Sequence, residues 1–221
     1  MKKTYRFLLT GDSWAAGQWD MKLLDKEGAK ATSITSWLTK MGHTCIYHPN
    51  PGWGDGSSIH KLQHYDGKYD FAIFFKTCAS REFQGLKKEK NKDWLAETNI
   101  FTKLDMVNNV VYDFFHEFRD KLILIGGLER IRKDFVSFIT IESLAEWLDP
   151  NFTDPPYFGD VTHIFNNTDR HTKGFAELHE MFKIKRDHMK ANPHHYYPDG
   201  VHPNKIVHEY LAVAINEMIQ Q

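Results

Sequence analysis

Four short apolar runs, three of them closed by glycine or proline, separated by longer stretches of helical periodicity, constrain this chain more than any other feature. The runs lie at residues 4–10, ending at Gly11; 43–48, closed by Pro49-Asn50-Pro51-Gly52; 71–75, the most apolar; and 122–125, stopped by Gly126-Gly127. Runs of this length and punctuation are strand signals. Between them, residues 33–41 carry Ile34, Trp37, Leu38 and Met41 at helical spacing, with Gly42 as a stop. Ser57 and Ser58 are placed to cap a helix through about residue 65, and a long amphipathic helix is predicted over about 99–119. Further helices are predicted over 172–189 and 204–218, after a long loop at 149–170 that leaves room for one short strand at 161–165. Strands alternating with helices imply βαβ units: an α/β fold with a mainly parallel sheet of four or five strands, covered on both faces.

The 221 residues suit a single domain spanning 1–221. Lys plus Arg number 28 and Asp plus Glu 29, a net charge of −1, which argues against electrostatic capture of nucleic acid or an anionic membrane. No run of about 18 apolar residues offers a membrane span. The only cysteines, Cys45 and Cys78, give no disulfide framework and suit a reducing compartment. Residues 5–9 are too short for the core of an export signal, so a cytoplasmic location is expected.

In an open parallel sheet ligands bind beyond the carboxyl ends of the strands, so residues just after Thr10, His48, Phe75 and Ile125 converge on one rim. The first rim motif is Gly11-Asp12-Ser13-Trp14, where Ser13 sits on a tight turn and serves either as a nucleophile or as a helix cap. The second lies near the other end, Tyr197-Pro198-Asp199-Gly200-Val201-His202-Pro203-Asn204. A serine hydroxyl is a weak nucleophile until an imidazole takes its proton, and the imidazole works best when a carboxylate fixes its tautomer. Asp199 and His202 are three apart across an Asp-Gly turn, close enough for the carboxylate to reach the ring.

Together, serine in the first βα turn and Asp-x-x-His before the last helix resemble two sequence blocks of the SGNH, or GDSL-type, hydrolase family. The resemblance runs from residue 5 to about residue 215 and implies a flavodoxin-like three-layer αβα sandwich. It implies Ser13 as nucleophile, His202 as general base and acid, and Asp199 as its orienting partner. The family's oxyanion-binding glycine is matched best by Gly54, with Gly52 and Gly56 as alternatives; the N–H of Ser13 is a further donor. The sequence departs from the family where an asparagine is expected after the third strand: Lys76-Thr77-Cys78-Ala79-Ser80-Arg81-Glu82 stands there. Thr77, Ser80 or Arg81 can donate instead, and this stretch is similar to divergent, phage-like members. Cys78 is expected to be a small buried side chain.

The resemblance implies a serine esterase that acts, without a cofactor, on a small acyl ester, such as an acetyl ester, of a carbohydrate or other polar alcohol. The same residues serve an acyltransferase, and the missing asparagine also fits a non-catalytic module that keeps the fold. Trp14, Trp53 and Arg81 are candidate substrate-binding residues, with Phe83, Tyr196 and Tyr197 nearby. His194, His195, Asp199 and His202 carry ligand-type groups, but no H-E-x-x-H or other metal spacing is present, so no metal is expected. Oligomeric state is not legible.

Overall fold

The computed structural model describes residues 3–17, 26–49, 51, 54–77, 100–155, 170–197, 199 and 201–221. Five strands, β1 (Arg6–Gly11), β2 (Thr44–Tyr47), β3 (Phe71–Lys76), β4 (Leu122–Gly126) and β5 (Ile139–Ile141), form one sheet in the order β2-β1-β3-β4-β5. Every neighbouring pair is parallel. The helices are α1 (Ser13–Ala16), α2 (Lys26–Thr32), α3 (Ile34–Lys40), α4 (Asp55–Gln63), α5 (Ile100–Phe118), α6 (Leu144–Leu148), α7 (Arg170–Ala191) and α8 (Lys205–Gln220).

Successive strand side chains point to opposite faces, and here both faces are covered, which is why the runs read as continuously apolar rather than alternating. On one face Phe7, Leu9, Ile73, Phe75, Ile123 and Ile125 pack with Ile34 and Leu38 of α3 and with Val207, Leu211 and Ile215 of α8. On the other, Leu8, Ala72, Phe74, Leu122 and Leu124 pack with Ile59 and Leu62 of α4 and with Val111, Tyr112 and Phe115 of α5. The result is a three-layer αβα sandwich, as the alternating pattern predicts. Burying each of these larger side chains contributes about 1.5–3 kcal/mol.

The topology fixes where a site can form. The chain steps from β1 to β2 on one side, then crosses back to place β3 on the other side of β1, so the order reverses between β1 and β3. At such a switch point the loops after the two strands diverge and leave a crevice. Gly11 pairs with Phe75 in register, which puts the residues after Gly11 and after Lys76 on its two walls.

Several local expectations change. Helix α4 begins at Asp55 with Gly54 as its N-cap, not at Ser57 or Ser58. Ser58 is buried, and its carbonyl accepts a hydrogen bond from the Thr10 hydroxyl at 3.2 Å, tying this first turn to β1. Strand β5 and helices α2 and α6 were not anticipated, being only three, seven and five residues long. The strand predicted at 161–165 lies outside the described residues. Among the described residues no helix is long and apolar enough to cross a membrane.

His208 of α8 is fully buried, its ring centroid 5.9 Å from that of Phe75, and neither ring nitrogen has a hydrogen-bond partner among the described residues. Burial pushes its pKa down from 6.5 to about 3, so the folded protein holds it neutral. The unfolded chain binds this proton below about pH 6.5 and the folded chain does not, so the associated stability is present above that pH and is lost as pH falls towards 3. The slope is about 1.4 kcal/mol per pH unit, or about 2 kcal/mol by pH 5. Urea unfolding at pH 7 and pH 5 is expected to show this loss in the native protein and a smaller one in His208→Met.

Candidate active site

Strand β1 ends at Gly11, whose φ of +133° lies in a region that side chains disfavour, and a Cβ there would stand 3.0 Å from Ala15 Cβ and 3.2 Å from the Phe75 carbonyl oxygen. Glycine is therefore required for the chain to turn this tightly against β3. Asp12 follows in extended conformation and caps α1: its Oδ1 accepts the Trp14 N–H at 2.8 Å, and its carbonyl accepts from Ala15 and Ala16. Capping is thus the role of Asp12, which leaves the hydroxyl of Ser13 uncommitted to its own helix.

The second half of the site comes from the connection between α7 and α8. An antiparallel bridge between Tyr196 and Pro203 closes this loop, and Tyr197 N–H donates to the His202 carbonyl at 2.9 Å. Asn204 caps α8, accepting from the N–H groups of Ile206 and Val207 at 2.9 and 3.3 Å, and its Nδ2 donates to the His194 carbonyl at 2.8 Å. Within the loop Asp199 Oδ1 accepts from the N–H groups of Val201 and His202 at 2.9 and 3.1 Å. Its Oδ2 lies 2.5 Å from His202 Nδ1, and His202 Nε2 lies 2.8 Å from Ser13 Oγ.

Thus the structure brings Ser13, His202 and Asp199 into one hydrogen-bonded chain across 189 positions of sequence. An ionised carboxylate only accepts, so the proton between Asp199 and the ring belongs to Nδ1, and Nε2 presents its lone pair to the Ser13 O–H. Burial alone would raise the Asp199 carboxyl, but the hydrogen bonds from the His202 ring and from the Val201 and His202 N–H groups bring it below the usual carboxylate range. Asp199 therefore stays charged and can support a positive imidazole. Exposure is graded along the chain: Ser13 is 5% exposed, and the His202 and Asp199 side chains 14% and 35%. The hydroxyl-bearing residue is thus the most buried of the three and the carboxylate the most exposed. Such an arrangement can activate a hydroxyl and hand its proton to a leaving group.

The remaining expected residues are placed unevenly. Gly54 has an extended backbone at the start of α4, a position whose N–H lies outside the helical ladder; Gly56 lies inside the first turn, and Gly52 is outside the described residues. Thr77 follows β3 directly and is 2% exposed. Its N–H is committed to Asp55 Oδ1 at 2.9 Å, whereas its Oγ1 is buried and has no hydrogen-bond partner among the described residues. Trp14 does not line an open cleft: it is 1% exposed, in the core layer with Phe7 and Leu9, and its ring lies 3.2 Å from where a Cβ of Gly127 would stand. Following an inward-facing turn of α1, its large apolar surface is buried rather than offered to a ligand. Trp53, Arg81, Cys78, Ser80 and Phe83 lie outside the described residues. Among the described residues, no three or more His, Cys, Asp or Glu side chains gather in a way that could hold a metal ion.

A buried polar cluster beside Thr77 was missed. It comprises Lys76, Asp55, Glu129 and Asn108, and its signal was the lysine that ends the otherwise apolar run of β3. A charge at the end of a strand buried on both faces needs carboxylate partners.

No protein-family model matches the chain, and no curated protein sequence does. Among solved structures it is similar to a lipase/acylhydrolase from Enterococcus faecalis, at 16% identity and a TM-score of 0.43 over 97% of this chain and 95% of that one. It is also similar to a catalytic mutant of the acetylxylan esterase Axe2 from Geobacillus stearothermophilus, at 13% identity and a TM-score of 0.45, covering 100% of this chain and 97% of that one. A third is the psychrotrophic esterase EstA from Pseudoalteromonas, at 12% identity and a TM-score of 0.42, covering 97% and 96%.

Proposed function

We propose that this protein is a divergent serine esterase of the SGNH type, working through a Ser13-His202-Asp199 triad. The observation that carries the reading is the continuous hydrogen-bonded chain from Ser13 Oγ through both nitrogens of His202 to Asp199. Ser13 Oγ attacks the ester carbonyl carbon as its proton passes to His202 Nε2, and Asp199 supports the imidazolium. The carbonyl oxygen becomes an oxyanion facing the N–H groups of Ser13 and Gly54 and the hydroxyl of Thr77. Collapse breaks the bond to the alcohol, which leaves with the proton from His202, and an acyl-serine remains. Water then gives its proton to His202 and its oxygen to the acyl carbon; the acid departs and Ser13 regains its proton. The chemistry needs no cofactor.

The proposed substrate is a small acyl ester, such as an acetyl group on a carbohydrate or other polar alcohol. Incubation with a fluorophosphonate followed by peptide mapping tests the reaction class: a single adduct on Ser13 is expected, and no adduct, or one elsewhere, rejects it. Rates on 4-nitrophenyl acetate and 4-nitrophenyl octanoate test the acyl preference, the acetate being expected to react faster. Added alcohol acceptors separate a hydrolase from an acyltransferase, because a transferase would divert the acyl group from water to the acceptor.

A further inference from the structure

Lys76 ends β3 with a side chain of 0% exposure. Its Nζ donates to Glu129 Oε2 at 2.8 Å and, at 3.3 Å each, to Asp55 Oδ2, Asn108 Oδ1 and the Thr77 carbonyl. An ammonium has three protons, so four acceptors share them and hold the group centrally among them. Asp55, 1% exposed, divides its carboxylate: Oδ2 meets Lys76, and Oδ1 accepts the Thr77 N–H at 2.9 Å. One carboxylate thus joins the start of α4, next to Gly54, to the segment leaving β3. Burying these charges forfeits much of their hydration, and well-packed apolar side chains are often at least as stabilising as a buried ion pair. Stability alone is therefore a weak reason for the cluster.

The geometry points to Asp55 and Lys76 as positioning residues for the oxyanion side of the site, acting through Thr77; this rests on the esterase reading above. Asp55 draws the Thr77 N–H towards itself, so the only donor that Thr77 can offer a substrate is its hydroxyl. Lys76 fixes the carboxylate that does this, and also bonds the Thr77 carbonyl. The backbone of Thr77 is thereby held at both polar groups, and its hydroxyl, otherwise unpartnered, keeps one location relative to Ser13 across the switch point. Where the sequence lacks the family's asparagine, a buried ion cluster aims a smaller donor instead. A displacement of about 1 Å at a catalytic donor can cost on the order of 100-fold in rate, so such a clamp has a measurable effect.

Asp55→Asn tests it. In the same pose its amide oxygen replaces only one of the two carboxylate oxygens, and the NH₂ at the other end is a donor that faces either Lys76 or the Thr77 N–H. Hydrolysis of 4-nitrophenyl acetate is measured per active site, counted by fluorophosphonate titration, in the wild type, Asp55→Asn, Thr77→Val and the double variant. Asp55→Asn is expected to lower kcat about 30-fold with KM changed less than about threefold, and Thr77→Val to lower kcat about 100-fold. The double variant is expected to match Thr77→Val alone, since Asp55 acts through that hydroxyl. A purely structural role would lower the unfolding free energy and leave kcat per active site intact, or make the two losses multiply, and either result overturns the inference. Should Asp55→Asn not fold, Glu129→Gln, which keeps an acceptor for Lys76 and removes one buried charge, is read in the same cycle. It is expected to lose about threefold to tenfold in kcat alone and nothing further beside Thr77→Val; an unchanged kcat, or multiplied losses, overturns the inference. A wild type that neither labels at Ser13 nor hydrolyses ester rejects the esterase reading and this inference with it. A wild type that does both beside an equally active Asp55→Asn rejects the inference alone.

Discussion

Ser13→Ala is expected to lower kcat/KM for 4-nitrophenyl acetate by about 10⁴-fold or more and to abolish fluorophosphonate labelling, while the protein stays folded. The reason is chemical rather than structural. Ser13 Oγ makes its hydrogen bond to His202 Nε2, and Asp12 supplies the cap of α1, so removing the oxygen leaves the local backbone intact. A lost hydrogen bond of this kind changes stability by about 1 kcal/mol, whereas removing a nucleophile that acts as a unit with its base removes nearly all covalent catalysis. Asp199→Asn is the companion variant, with an expected loss of about 10²–10⁴-fold. The amide carries no charge to support the imidazolium and can favour the wrong tautomer of His202. Steady-state kinetics beside circular dichroism separates these losses from unfolding; a Ser13→Ala protein that still turns over ester would sink the mechanism.

Thr77→Val carries the second large expectation, and its two halves have opposite signs. Valine has nearly the shape of threonine, and Thr77 Oγ1 is buried with no hydrogen-bond partner among the described residues. Exchanging an unpaired buried hydroxyl for a methyl group removes an uncompensated polar atom, so the unfolding free energy is expected to stay the same or rise by about 1 kcal/mol. The same exchange takes away a proposed oxyanion donor, and kcat is expected to fall on the order of 100-fold. Urea unfolding and ester hydrolysis on one preparation check both halves. A valine variant that is less stable yet fully active would show that the hydroxyl has a structural partner and no part in the reaction.

The frame of the fold was legible because parallel strands buried on both faces leave continuous apolar runs, as at Phe71–Lys76 and Leu122–Gly126. Strand β5 was not: Ile139–Ile141 has three residues, pairs with β4 alone among the described residues, and follows Val136 and Phe138, which are apolar yet exposed, so no period marks it. The start of α4 was misread because serine is a common cap, while Gly54 makes no side-chain cap at all and Asp55, the residue that looks like one, is engaged by Lys76 and Thr77 instead. Ser13, Asp199 and His202, which the structure joins by hydrogen bonds, stood out because a serine follows the first strand, Asp199 and His202 lie three apart, and the two segments together resemble known sequence blocks. Trp14 was misjudged because a neighbour of a site residue in sequence can face the core, and the sequence does not show which way a four-residue helix turns. The cluster around Lys76 draws its members from four separate segments, and only the fold reveals that they meet.

The pairing of Ser13 with His202 has a consequence for synthesis. The hydroxyl leaves the ribosome 189 positions before the imidazole, which lies on the loop that leads into α8. On the proposed mechanism a growing chain stays inert towards esters until that loop has docked, and a product interrupted before it is expected to attack none. Divided between these two residues, the chain would give two silent fragments whose reunion could be read as the return of turnover.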